Sequence, residues 1–195
     1  MDFYTNGKLA WLSIPKNAST SLSRLLGDQL GWQRHDLHRP NIDLNQLEFF
    51  ACLRDPDDRH TVGMAQFLTT QKLTWLVNFY PKILAGSILD EHSMPIHFLV
   101  PQAVLDRCTF FVIDDPKGPW PGNLVSWLAN RSVDLPGPIP MLNSSRDSHD
   151  ALRQRIVENK KRFPVLHNKL IVWALAQDRI LYRRHIQVQH ELAHK

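Results

Sequence analysis

A lysine and three hydroxyls crowd into Pro15-Lys16-Asn17-Ala18-Ser19-Thr20-Ser21. Residues of these types can hold an anion such as phosphate or sulfate. Lys16 would supply a point charge, and Ser19, Thr20 and Ser21 would supply hydroxyl donors. A second group follows in Arg54-Asp55-Pro56-Asp57-Asp58-Arg59-His60-Thr61-Val62-Gly63. An arginine directly before a proline-initiated helix can grip a phosphate with two parallel hydrogen bonds. The same residues could instead form ion pairs of Arg54 and Arg59 with Asp55, Asp57 or Asp58. The third group is Asp90-Glu91-His92-Ser93-Met94-Pro95, where His92 could act as a general base near neutral pH. His35 and His38 are rival bases, and Trp32, Arg34 and Arg39 beside them could line a cleft for an acceptor.

The elements that must position these groups alternate. Residues 3–13 read as a first strand through Leu9-Ala10-Trp11-Leu12, and residues 19–30 as a helix with Leu22, Leu25 and Leu26 at helical spacing. That puts the Lys16 loop at a helix opening, where unpaired N–H groups and the helix dipole favour anions. A Ser/Thr-rich capping turn is the competing reading. Gly31 is placed to end the helix. Residues 32–37 suggest a short strand. Residues 47–53 suggest a strand buried on both faces, stopped by Arg54-Asp55-Pro56. Asp55 and Pro56 read as cap and first residue of a helix running to about Leu68.

A further helix is expected over 69–84, and a segment broken by Pro101 over 96–105. Residues 110–113 read as another buried strand, and 122–131 as a helix. Residues 135–140 form a proline-rich loop. From Ser148 the pattern is helical, restarting at Pro164, with a loose tail at 186–195. Strands alternating with helices imply an α/β fold with a parallel sheet flanked by helices. Ligands of such sheets bind beyond the carboxyl ends of the strands. The Lys16 loop, Arg54 and Asp114 all follow strands and would gather there.

The chain has 195 residues, 43% of them apolar, and a formal charge of +4. It fits a single domain able to bury a core. Mild basicity suits an anionic cofactor or acidic substrate. No Lys/Arg block argues for nucleic acid, and Lys160-Lys161-Arg162 reads as a solvated helix face. Cys52 and Cys108 lie in apolar runs and read as buried free thiols. No cluster has zinc spacing. With no apolar leader and no membrane-length segment, the expectation is a cytoplasmic protein that does not engage a membrane.

Pro15-Lys16-Asn17-Ala18-Ser19-Thr20-Ser21-Leu22 resembles the 5′-phosphosulfate loop of sulfotransferases that use 3′-phosphoadenosine 5′-phosphosulfate (PAPS), most closely the carbohydrate branch. Residues 54–63 resemble that family's 3′-phosphate motif, Arg-Asp-Pro-x-[Glu/Asp]-Arg-x-x-Ser-Gly. Residues 90–95 are similar to its Asp-x-His-x-x-Pro-Gln segment. Pro140-Met141-Leu142-Asn143-Ser144-Ser145 resembles a nucleotide-side element, and Asp178-Arg179-Ile180-Leu181-Tyr182 its Asp-x-x-Leu-Tyr. The resemblance spans residues 9–182.

It implies a P-loop-like three-layer fold with a helical C-terminal part, and PAPS as co-substrate. Residues 15–21, Arg54, Asn143 and Ser144 would bind PAPS, Lys16 would stabilise the phosphosulfate, His92 would be the base, and Arg59 and Asp58 would be structural. No metal is implied. The acceptor would be a hydroxyl, on a carbohydrate by family, in a soluble bacterial or phage-type protein. Two positions depart from the pattern. The family's serine falls on Val62, which leaves Thr61 or His60 to take its place, and its glutamine falls on Ile96.

Two other function classes fit the same residues. A non-catalytic nucleotide or anion binder needs only the Lys16 loop. A nucleotide kinase would want G-x-x-x-x-G-K-[ST], and the loop here has no glycine and places its lysine before the hydroxyls.

Overall fold

Asn6 and Gly7 set the first turn. Asn6 Oδ1 accepts from the N–H groups of Lys8 and Leu9 at 3.0 and 2.9 Å, and Thr5 Oγ1 accepts from Gly7 N–H at 2.9 Å. Gly7 has φ 91°, which a glycine adopts at no steric cost. The turn divides the single strand expected over 3–13 into β1 (Asp2–Thr5) and β2 (Leu9–Leu12), paired antiparallel. A link this short can join only antiparallel strands.

The computed structural model describes residues 1–79, 81, 90–116, 118–139 and 146–193. Asn143 and Ser144 lie outside these residues, as does the rest of the Pro140–Ser145 element. Strands β3 (Gln33–Asp36), β4 (Glu48–Leu53) and β5 (Thr109–Val112) complete a five-stranded sheet in the order β3-β1-β2-β4-β5. β2, β4 and β5 are parallel, and β1 runs against both of its neighbours. The sheet is therefore mixed rather than wholly parallel. The carboxyl ends of β2, β4 and β5 still share one edge.

After β2 comes α1 (Ser19–Leu22), which continues as a π-helical stretch over Ser23–Gln29. Gly31, at φ 68°, ends it as expected, and Trp32 N–H reaches back to Leu26 O at 2.9 Å. After β4 comes α2 (Pro56–Thr70), with Asp55 capping through Oδ1 to the N–H groups of Asp57 and Asp58, both at 3.0 Å.

The helix expected over 69–84 does not follow. α2 runs on to Thr70, Lys72 turns the chain at φ 58°, and α3 (Leu76–Phe79) restarts beyond it. Pro101 separates α4 (Ile96–Leu99) from α5 (Gln102–Leu105), because it cannot continue the first helix. Then come α6 (Gly122–Ala129), α7 (Arg146–Arg162), α8 (Pro164–His167) and α9 (Ala176–Ala193). Helix α9 carries helical structure through residues 186–193, the described part of the tail expected to be loose.

Both faces of the sheet are covered. Alternation along β4 sends Phe49, Ala51 and Leu53 to one face, with Ile96, Leu99 and Val104, and Phe50 and Cys52 to the other, with Leu22, Leu26, Leu124 and Leu128. A third cluster joins α2, α3 and α7 through Met64, Leu68, Val77 and Ile156. Cys52 is buried and Cys108 half-buried, both as free thiols, and burial pushes both thiols up from their ordinary pKa. Among the described residues no helix is long and apolar enough to cross a membrane.

Candidate functional site

The loop after β2 is strained where a P-loop would use glycine. Lys16 and Ala18 have φ 67° and 60°, while Asn17 between them does not share this sign. Non-glycine residues hold such angles only where their surroundings enforce them. Asn17 supplies the enforcement. Its side chain is buried and donates through Nδ2 to Cys52 O at 2.9 Å, which ties the loop to the end of β4. Asn17 N–H is turned back onto Ile14 O at 3.2 Å, which closes the loop just ahead of α1.

Ala18 is the N-cap of α1 and makes no side-chain capping bond. The hydroxyls of Ser19, Thr20 and Ser21 thus lie within the helix, and the capping-turn reading does not describe this loop. Pro15, Lys16 and Ser19 are half-buried, Thr20 is exposed and Ser21 is buried.

Lys16 does not stand alone. Burial lowers its pKa from the ordinary lysine value, Arg54 lowers it further, and Asp90 pulls it back up. The two cations therefore share one field at the sheet edge, with a carboxylate beside them. Arg54 reaches the Asp58 carboxylate at 3.7 Å, and its Nε is buried without a hydrogen-bond partner among the described residues. Asp58 is drawn away to Arg153, whose Nη2 donates to it at 2.8 Å.

His92 completes the group. Its Nδ1 lies 2.7 Å from Asp90 Oδ2, and its own N–H donates to Asp90 Oδ1 at 3.0 Å. A carboxylate only accepts, so Nδ1 carries a proton, and in the neutral imidazole the lone pair is then on Nε2. The segment is fixed against α2 in two places and against α9 in one. Gly63 and Arg59 belong to α2: Gly63 lets the His92 backbone approach, and Arg59 Nη2 donates to Met94 O; just beyond the segment, Ile96 N–H donates to Asp178 Oδ2 of α9 at 2.7 Å. Arg59 and Asp178 are themselves buried and 3.4 Å apart. Asp114 closes the carboxyl edge by accepting from Asp55 N–H at 2.7 Å and from Tyr182 Oη at 2.9 Å.

The rival histidines lie elsewhere. β3 is on the far side of β1 from β2, so His35 and His38 belong to the other end of the sheet. His35 stacks on Phe3 at 5.2 Å between ring centroids and meets Asn41 Oδ1 at 2.5 Å. Trp32 is buried beneath the sheet against Phe50, not lining a cleft.

Thr61 is also committed. Its hydroxyl donates to Asp57 O at 2.7 Å and accepts from Lys160 Nζ at 2.8 Å. Val62 beside it is apolar, so neither has a free hydroxyl to offer an anion. Lys160 corrects the expectation of a solvated basic face. Lys161 and Arg162 are exposed, but Lys160 is buried, and burial pulls its pKa down to about 8.

Sequence reasoning missed the ties of Asn17, Asp114 and Lys160. Each joins positions far apart in the chain, so no local pattern announces it. Among the described residues no group of three His, Cys, Asp or Glu could hold a metal. No family model, no curated protein and no solved structure matches the chain.

Proposed function

We propose that the chain is a PAPS-dependent sulfotransferase that transfers a sulfuryl group to a hydroxyl acceptor, with a carbohydrate as the acceptor class. The P-loop-like three-layer fold and the identity of the nucleotide are part of this proposal. One observation carries it. Lys16, Arg54 and the His92–Asp90 pair meet at the carboxyl edge of the parallel strands, beside a strained loop that opens a helix.

In the proposed reaction the acceptor oxygen attacks sulfur from the side opposite the 5′-phosphate. An O–S bond to the acceptor forms as the S–O bond to the phosphate breaks. The acceptor's proton passes to His92 Nε2, and 3′-phosphoadenosine 5′-phosphate departs with the bonding pair. Lys16 and the N–H groups of residues 18–21 offset charge on the sulfuryl oxygens and on the leaving phosphate, Asn17 N–H being held by Ile14 O at 3.2 Å. Arg54 anchors the 3′-phosphate, which lends binding energy from a part of the molecule that does not react. Asp90 holds the imidazole in the tautomer a base needs.

A second reading has its own support. The Thr61 hydroxyl is engaged by Lys160, and Val62 offers no donor, so a 3′-phosphate would have Arg54 and no adjacent hydroxyl. That favours a non-catalytic anion or nucleotide binder.

Calorimetric titration separates the two when 3′-phosphoadenosine 5′-phosphate is compared with adenosine 5′-phosphate. Tighter binding of the bisphosphate that is lost in Arg54→Ala supports the nucleotide assignment. Incubation with PAPS and sugar acceptors, read by product mass, then tests transfer. Equal binding of both nucleotides overturns the PAPS reading.

A further inference from the structure

A cavity lies away from the Lys16 site. It measures about 570 Å³ and opens along the outer edge of β5, between α6 on one face and α9 on the other. Thr109, at its floor, is level with Phe50 of β4, and Phe50 is level with Trp11 of β2. The cavity is thus two strands across from β2 and begins at the opposite end of β5 from the carboxyl edge. Four rings, Phe110, Phe111, Trp127 and His185, form part of its walls. Phe110 meets His185 at 4.9 Å with the rings tilted by 53°, and Phe111 meets Trp127 edge-on at 5.7 Å. A volume of this size with apolar walls and few polar groups is the ordinary form of a small-molecule site.

Gln189 is the polar group that does not fit an empty hydrophobic pocket. It lines the cavity from α9 and is only 6% exposed. Neither its Oε1 nor its Nε2 has a hydrogen-bond partner among the described residues. Leaving a buried donor and acceptor unpaired costs free energy that an apolar side chain would not. A carboxamide presents an acceptor and a donor side by side, and another amide edge pairs with both at once. The aromatic walls call for a flat body behind that edge.

We infer that the β5-edge cavity is a binding site for a small aromatic carboxamide or lactam, held by paired hydrogen bonds to the Gln189 side chain and by contact with the Phe110 and His185 rings on the α9 face of β5. The site is independent of the sulfuryl-transfer reading, since it shares no residue with the Lys16 group.

Benzamide and toluene are matched probes, equal in body and differing in the amide. Titration of each into the full chain, followed by ligand-observed NMR, should show benzamide preferred by about tenfold, the worth of one well-made buried hydrogen bond. The preference should reverse in Gln189→Leu, which keeps the volume and removes the amide. In the unaltered chain the side-chain NH₂ resonances of Gln189 should shift with benzamide and not with toluene, a reading that survives even if the variant fails to fold. Equal binding of the two probes, binding of neither, or unmoved Gln189 resonances would overturn the inference.

Discussion

Gly63 and His92 meet backbone to backbone. A Cβ placed on Gly63 would lie 2.0 Å from the His92 carbonyl oxygen and 2.8 Å from Ser93 N. No flexible side chain is there to give way. Gly63→Ala must therefore push the Asp90–Met94 segment off α2 or bend the helix. The expected cost is about 1–3 kcal/mol of stability, the usual range for overpacking. Thermal unfolding reads the cost, and the His92 ring resonances should shift with it. An alanine variant with unchanged stability and an unmoved ring would show that the contact is looser than the backbone positions indicate.

Lys16 should matter for anion affinity and, if the proposed reaction holds, for rate. Lys16→Ala is expected to lower turnover by roughly 10²-fold or more, the scale of losing one preorganised charge at a developing anion. Its lowered pKa gives a second signature. The protonated amine binds the anion, so affinity should weaken as pH rises through that lowered value, below the ordinary 10.5. Calorimetry of 3′-phosphoadenosine 5′-phosphate across alkaline pH reads this directly, and Lys16→Met should flatten the profile. A profile identical in the two proteins would remove Lys16 from the site.

His92 and Asp90 should differ in how they fail. His92→Ala removes the base and should cost about 10²–10⁴-fold in kcat under the proposed reaction. Asp90→Asn keeps the shape but frees the imidazole to take the other tautomer. It should lower kcat, leave KM for the acceptor unchanged, and alter the shape of the pH–rate profile. An Asp90→Asn enzyme that changes only in KM would mean that the pair shapes the pocket and does not steer a proton.

The fold was legible where chemistry is local. Asp55 and Pro56 announce the start of α2, Gly31 announces the end of the first helix, and Pro101 and Pro164 announce breaks, because each acts through its own backbone. Asn6-Gly7, between Thr5 and Lys8, carries an equally local turn signal, the dipeptide most typical of hairpins, and reading one strand over 3–13 passes over it.

The site was half legible. Lysine, hydroxyls, arginine and histidine were visible as types. The left-handed backbone at Lys16 and Ala18 was not, because glycine normally marks such positions and none is present. Lys160 looked like its neighbours Lys161 and Arg162, and only the packing of α7 on α2 turns it inward.

Arg59 and Asp178 form a buried ion pair that links α2, α9 and the His92 segment. Removing Asp178 leaves the Arg59 charge without its counterpart in the interior, at about 3–5 kcal/mol, and Asp178→Asn should approach that loss in urea unfolding. Arg59→Met should lose less, since Asp178 still accepts from Ile96 N–H at 2.7 Å and lies 3.1 Å from His97 Nδ1. If Arg59→Met proves neutral, the pair contributes position and no stability.

Lys160 gives the test with a sign fixed in advance. Its pKa is about 8 in the folded chain against an ordinary 10.5, with burial as the leading cause. Below pH 8 the amine is charged in both states, and the folded state bears the full cost of burying it. Between pH 8 and 10.5 the unfolded chain still holds the proton and the folded chain has released it, so stability rises with pH across this window. Lys160→Met removes the charge at every pH. The variant's advantage over the unaltered chain should therefore be greatest at pH 7, on the order of 1–3 kcal/mol, and should shrink by pH 10. Taking the difference between the two proteins cancels the titration of every other group. A gap that stays constant with pH would show an unperturbed lysine. A variant less stable at pH 7 would show that the bond to Thr61 outweighs the buried charge.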